Sequence, residues 1–231
     1  MSESTRTGAG DAEAAASTGP VAEPRWPIAA AILGAILLQL GVPSRGRVPG
    51  WWVFPVLEIV LLGVLLARDP GRIDRRSGVM RRLMIALVTV MTIGTVSGLI
   101  VLVYDILAVV QGINATALFG RGGAIWVTNV IVFSLWYWAF DRGGAAERAA
   151  GSPIPPSFAF PENAMPEFAS QGWVPRYQDY LYLSFTNATA FSPTDTLPVR
   201  TWAKMIMMIQ AAVSLLSAVL VVARAINVLP G

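Results

Sequence analysis

Apolar residues come in five long runs, separated by polar stretches rich in arginine, glycine and proline. The first runs from Ile28 to Val42, opened by Trp26-Pro27 and closed by Pro43. The second, Trp51 to Ala67, is interrupted by Pro55 and Glu58. The third, Leu83 to Val110, is the longest. At 1.5 Å per residue it would reach roughly 42 Å, beyond a hydrocarbon core of roughly 30 Å. It must therefore tilt, kink or protrude, and Asp105 marks where its last turns should reach the headgroups. The fourth, Ala124 to Phe140, ends in Trp136-Tyr137-Trp138, a pattern suited to a membrane interface. The fifth runs from Met205 to Val222 and continues to about Leu229. In lipid each run must be helical, because hydrocarbon offers no partner to an open backbone group. The pattern thus predicts an all-α polytopic bundle over residues 27–231. Its five spans fall at about 28–42, 51–67, 83–110, 124–140 and 205–229.

Two stretches do not fit a span. Residues 1–26 are rich in Ala, Ser, Thr, Gly and acidic residues with no apolar period. Such a segment cannot bury enough surface to offset its ordering entropy and reads as a disordered tail. It lacks the basic start and small-x-small site of a signal peptide. The second stretch lies between runs four and five. Prolines at 153, 155, 156, 161, 166 and 175 make its first part an extended surface segment. Its second part begins with Tyr177, Tyr180, Leu181, Leu183, Ser184 and Phe185, the pattern of a short half-apolar helix. Thr186 to Thr196 follows, rich in Thr, Ser and Asn. It is too short and polar to span and apolar enough to re-enter.

Composition strengthens the membrane reading. Of 231 residues, 55% are apolar or aromatic and only 13% charged. Soluble domains carry about 25% charged residues. The mean hydropathy is +0.58. There is no cysteine and no histidine. That removes disulfides, Cys- or His-based metal sites, Cys nucleophiles and Ser-His-Asp relays. No paired carboxylates at usable spacing appear either, so neither an enzyme, nor a cofactor, nor a metal site is expected. The 17 basic residues are all arginine except Lys204, and the net charge is +3. The arginines sit between apolar runs, which suits an anionic lipid surface better than nucleic acid.

Charge placement also predicts orientation. Arg68, Arg72, Arg75, Arg76, Arg81 and Arg82 crowd the loop between runs two and three. Arg142, Arg148, Arg176 and Arg200 lie in the connection after run four, whereas the loop before run four carries only Arg121. The positive-inside rule then puts the amino terminus, the arginine loop and residues 141–200 in the cytoplasm of a bacterial inner membrane.

Residues 177–198 carry the most informative pattern. Asp179, Tyr180, Tyr182, Ser184, Thr186, Thr189, Asp195 and Pro198, with Ala203 in the following run, resemble the pore-loop module of tetrameric potassium channels. That module has a short aromatic helix, a Thr-rich turn, a filter ending in Asp, a nearby Pro and an inner helix. The resemblance implies a homotetramer conducting monovalent cations, with Thr189, Ser192, Thr194 and Asp195 lining the path. The filter itself departs. The family reads Thr-Val-Gly-Tyr-Gly-Asp where this chain has Ala190-Phe-Ser-Pro-Thr-Asp195. Without the glycines, carbonyls cannot align along an axis at low cost. Side-chain hydroxyls would have to serve, with weak discrimination between ions. A channel loop of that family enters from outside, whereas the arginines put this one inside; an inverted loop, as in ionotropic glutamate receptors, reconciles the two. The whole chain also resembles bacterial integral membrane proteins of uncharacterised function. The alternative reading of the segment is an amphipathic helix and a proline-closed loop packed on the bundle.

Glu58 is the second candidate, a carboxyl near the middle of its run. A charge there costs roughly 2.5–3.5 kcal/mol on insertion scales. It is either a proton or cation site or a buried acid bonded to a neighbouring helix. Gly94 and Gly98 have the spacing of a close helix contact. Gln39, Asn129, Gln210, Ser214 and Ser217 can bond between helices, the last three from one face. The sequence thus supports two functions. One is a cation channel-like or transport protein built on a re-entrant loop. The other is a non-transporting membrane protein that binds a partner or serves the envelope.

Overall fold

The computed structural model describes residues 23–41, 50–68, 72–73, 77–107, 115–165, 167, 169–170, 173–190 and 195–228. It is mostly helical, and a helix forms at each of the five apolar runs. These are α1 (Trp26–Gly41), α2 (Val53–Arg68), α3 (Gly78–Leu107) and α4 (Ala115–Phe140), with the last at Thr201–Val228. Between α4 and that last helix come a 3-10 turn at Asp141–Gly143, α5 (Ala145–Ala149), α6 (Pro161–Ala164) and α7 (Tyr177–Ala190). The last helix is therefore α8. Two short antiparallel pairs complete the described residues. Glu23–Pro24 (β1) pairs with Arg72–Ile73 (β2), and Phe158–Ala159 (β3) with Leu197–Pro198 (β4).

Among the described residues, three helical stretches are long and apolar enough to cross a membrane: Gly78–Leu107, Thr116–Gly143 and Thr201–Ala223. The expectation of five spans is thereby reduced. With 16 residues each, α1 and α2 reach about 24 Å, short of the roughly 30 Å core. Arg68 sits in the last turn of α2. The stretch expected as a tail through residue 26 is described only from residue 23. Residues 1–22 lie outside the described set, but Glu23–Pro24 is a paired strand and Trp26 begins α1.

The fourth helix is the axis of the bundle. It packs against α1, α3, α7 and α8. Its spanning stretch is 67% buried, against 33% for α3 and 28% for α8. It begins nine residues before the predicted run, because Arg121 is not a loop charge. Its guanidinium donates to the Asp105 carboxylate at 2.6 Å, and both side chains are buried. Asp105 is therefore buried in a pair with α4. Gly122 permits the next contact: a Cβ there would lie 2.4 Å from Val221 Cγ2 of α8.

Contacts fix the helix directions. Along α4 and α8, Phe140 meets Trp202, Tyr137 bonds Gln210, Asn129 bonds Ser214 and Gly122 faces Val221, so the two are antiparallel. At the Phe140 end the chain reverses through Arg142, Gly143 and Gly144, all at positive φ. A Cβ on Gly144 would press to 3.1 Å from the Ala139 carbonyl oxygen, so glycine is needed for both angle and space. The β1–β2 pair is at this same end, because Glu23 bonds Trp138. The amino-terminal strand, Arg72–Ile73 and the turn after α4 thus gather at one end.

Candidate functional site

The segment that drew attention in the sequence folds as a helix with one polar-laced buried face. Tyr177, Tyr180, Leu183, Ser184, Asn187 and Ala188 are buried, a spacing of three and four that places them on one side of α7. At its start Asp179 accepts the Arg176 backbone N–H at 2.7 Å, satisfying one donor of the first turn. Pro193 lies just beyond its end in the sequence, where a helix cannot readily continue. The predicted turn from Thr186 is not there: Thr186 and Thr189 are helical.

The ring and hydrogen-bond partners of α7 reveal its course. Tyr177 meets Trp138 and Ser134, Ser184 donates to the Val130 carbonyl at 2.7 Å, and Phe185 stands edge-on to Trp126 at 5.8 Å. The helix thus descends along α4 from its Phe140 end toward its middle. The following strand, Leu197–Pro198, is back at the starting end, paired with Phe158–Ala159. The Phe158 ring touches Tyr137, Tyr180 and Trp202 there. Helix and return strand therefore enter and leave the bundle at one end.

Gln210 of α8 is the junction that holds α7 in place. Its Nε2 donates to the Ser184 carbonyl at 2.9 Å and to Ser184 Oγ at 2.7 Å. Its Oε1 accepts from Tyr137 and from Asn187 Nδ2. Asn187 Nδ2 also donates to the Met207 carbonyl at 3.0 Å. One amide thus links α4, α7 and α8, and it is fully buried. In an apolar surround each of these groups would be costly if left open.

A second cluster closes the end of the bundle. Asp141 accepts from Tyr180 Oη and from the Ser157 backbone, each at 2.6 Å. Arg148 donates to the carbonyls of Trp138 and Asp141, and its guanidinium lies over the rings of Trp138 and Tyr180. Glu23 accepts from Trp138 Nε1 and the Tyr177 backbone and lies 4.0 Å from Arg148. Burial raises the Glu23 carboxyl above its usual range, against the lowering effect of these donors. Burial likewise raises Asp179.

Of the predicted site residues, Glu58, Thr189 and Asp195 are described. Thr189 is exposed and its hydroxyl is turned back to its own helix, donating to the Phe185 carbonyl at 2.9 Å and to Thr186 at 3.2 Å. Asp195 is exposed and accepts from Tyr182 Oη at 3.2 Å. Ser192 and Thr194 lie outside the described residues. Glu58 is elsewhere, on α2, fully buried, with Gln39 Nε2 of α1 donating to its two oxygens at 3.1 and 3.0 Å. Among the described residues no group of three or more acidic side chains could hold a metal.

Sequence reasoning found the members of the Gln210 junction but not the junction. Gln210, Ser214 and Ser217 are all buried on one face, as their spacing implied. That Ser184 and Asn187 present the complementary groups is visible only as a polar i, i+3 pair on an otherwise apolar face. The Asp141–Arg148–Glu23 cluster was missed, since its members span 126 positions with no local pattern. Family models, curated proteins and solved structures offer no match to this chain.

Proposed function

We propose that the chain is a multi-pass membrane protein in which residues 177–198 are a re-entrant segment, and that this segment lines a cation path where copies of the chain meet. The observation that supports it is the course of α7, which descends along α4 while the chain after it returns to the same end. Non-helical backbone survives at membrane depth only when it is held in protein or lines water. The Gln210 junction supplies the first condition. The second would come from the outer side of α7, where Tyr182, Phe185 and Thr189 are exposed and Asp195 stands nearby. In a symmetric tetramer these faces would meet on an axis.

A second reading rests on its own observation. The hydroxyls of Ser184, Thr186 and Thr189 are all engaged with backbone carbonyls. A protein that uses α7 purely as a packed element, with its aromatic outer side binding a partner, fits that engagement.

Flux in liposomes separates the two. The channel reading expects a tetramer that passes sodium and potassium with little discrimination, and Asp195→Asn should lower conductance several-fold by weakening the local negative potential. A monomer without flux would end that reading and leave the partner-binding one. The end that gathers the arginines is proposed to be cytoplasmic in a bacterial cell membrane. Ser77→Cys, exposed at that end, should then resist an impermeant thiol reagent in intact cells; ready labelling would reverse the orientation.

A further inference from the structure

A cleft of about 260 Å³ opens at the arginine-rich end, between α1, α2 and the start of α3, roofed by Gly143–Glu147. Its walls are mainly apolar, with Ile28, Ile32, Leu62 and Met84 buried in the core. Two guanidinium-bearing residues line it. Arg25 is buried, with Nη1 donating to the Leu65 carbonyl at 3.3 Å. Arg81 is exposed on the first turn of α3. Against them stands one carboxylate, Glu147. An apolar slot with net positive charge at its lining matches one class of molecule, an apolar chain joined to an anion.

We propose that this cleft holds the acyl chain of an anionic glycerophospholipid, with the headgroup phosphate at Arg81. Three features support that occupant. The cleft lies between helices of a bundle that has three membrane-length stretches, so lipid is the neighbouring solvent. Arg25 and Arg81 line the cleft, and basic pockets between helices suit anionic headgroups. Its lining is mostly apolar, with Ile28, Ile32, Leu62 and Met84 among it, which favours a hydrocarbon chain over a soluble phosphate. The inference needs only that the bundle sits in a bilayer and does not depend on the cation path.

The test uses the whole protein, purified from liposomes and offered equal amounts of phosphatidylglycerol and phosphatidylcholine with identical acyl chains. Lipid retained on the protein is counted by native mass spectrometry. Phosphatidylglycerol should be retained roughly fivefold over phosphatidylcholine, the factor for one arginine near a charged headgroup at about 1 kcal/mol. Arg81→Ala, an exposed change that spares the core, should abolish the preference. Ala29→Leu, which narrows the slot, should reduce retention of both lipids, and its thermal unfolding temperature checks that it folds. Equal retention by the unaltered protein, or a preference that survives Arg81→Ala, would overturn the proposal. So would displacement of the lipid by excess glycerol phosphate, since the acyl chain would then contribute nothing.

Discussion

The two sides of the bundle are fastened by different means. Around α4, α7 and α8, buried polar groups bond across helices at Gln210, Asn187, Ser184, Tyr137, Asn129 and Ser214. Around α1 and α2, packing is largely apolar, with polar links that include Gln39 to Glu58 and Arg25 to the Leu65 carbonyl. Apolar packing is non-directional, so it tolerates small slides between helices. Hydrogen bonds are directional, and a one-residue slip of α7 would strand several donors at once. The polar side therefore fixes one register for α7. The apolar side leaves room, and the cleft lies there.

If that contrast is right, the largest loss should come from the junction. Gln210→Leu keeps roughly the same volume while leaving Tyr137, Asn187 and Ser184 without the amide. Buried groups left open cost about 1–3 kcal/mol each, whereas interhelical bonds in membranes average nearer 0.6. The expected loss is about 2–4 kcal/mol, read from unfolding in mixed detergent. Protease cutting between residues 177 and 200 should rise in the same variant. A loss below about 1 kcal/mol would mean that the aromatic contacts of α7 hold it without Gln210.

The glycines give the second and smaller contrast. On the polar side, Gly122→Ala would press its methyl to 2.4 Å from Val221 Cγ2, with Val221 Cβ at 3.2 Å. Valine has little freedom to turn away, so overpacking should cost about 1–3 kcal/mol. On the other side, a Cβ at Gly94 would meet Phe54 at 3.4 Å, an ordinary contact. Gly94→Ala should change stability by less than about 1 kcal/mol, in the stabilising direction, since alanine is the better helix former. Equal losses in the two would erase the difference between the two interfaces.

These pairs also explain what the sequence could reveal. Apolar runs located all five helices, because helix periodicity and lipid chemistry act locally. Helix ends were less legible. Arg121 and the glycines at 120, 122 and 123 resemble a loop until Asp105 and Val221 are placed beside them. The resemblance to a pore loop drew attention to residues 177–198, yet it put Thr186 and Thr189 in a turn where the chain is helical. An apolar face that includes Ser184 and Asn187 favours helix through Ala190 once Gln210 can satisfy both. That partner lies 20 or more positions away, and no local pattern joins them.

The smallest expected effect belongs to Glu58. It is as buried as Gln210, but its described bonds come from one side chain, Gln39. Glu58→Gln retains a carbonyl oxygen to accept from Gln39 and a nearly identical shape. One bond of the pair is lost, and the amide that replaces it is less costly to bury than a charge. The change in stability should stay within about 1 kcal/mol, well below that of Gln210→Leu. Function supplies the sharper readout. If α2 carries a proton or cation site, the variant should fold normally and lose pH-coupled flux. If Glu58 is only a tie between α1 and α2, flux should be unchanged, and the path, where one exists, runs through α7 alone. A loss as large as that of Gln210→Leu would instead show that the α1–α2 side depends on a directional contact too, and the contrast between the two sides would fail.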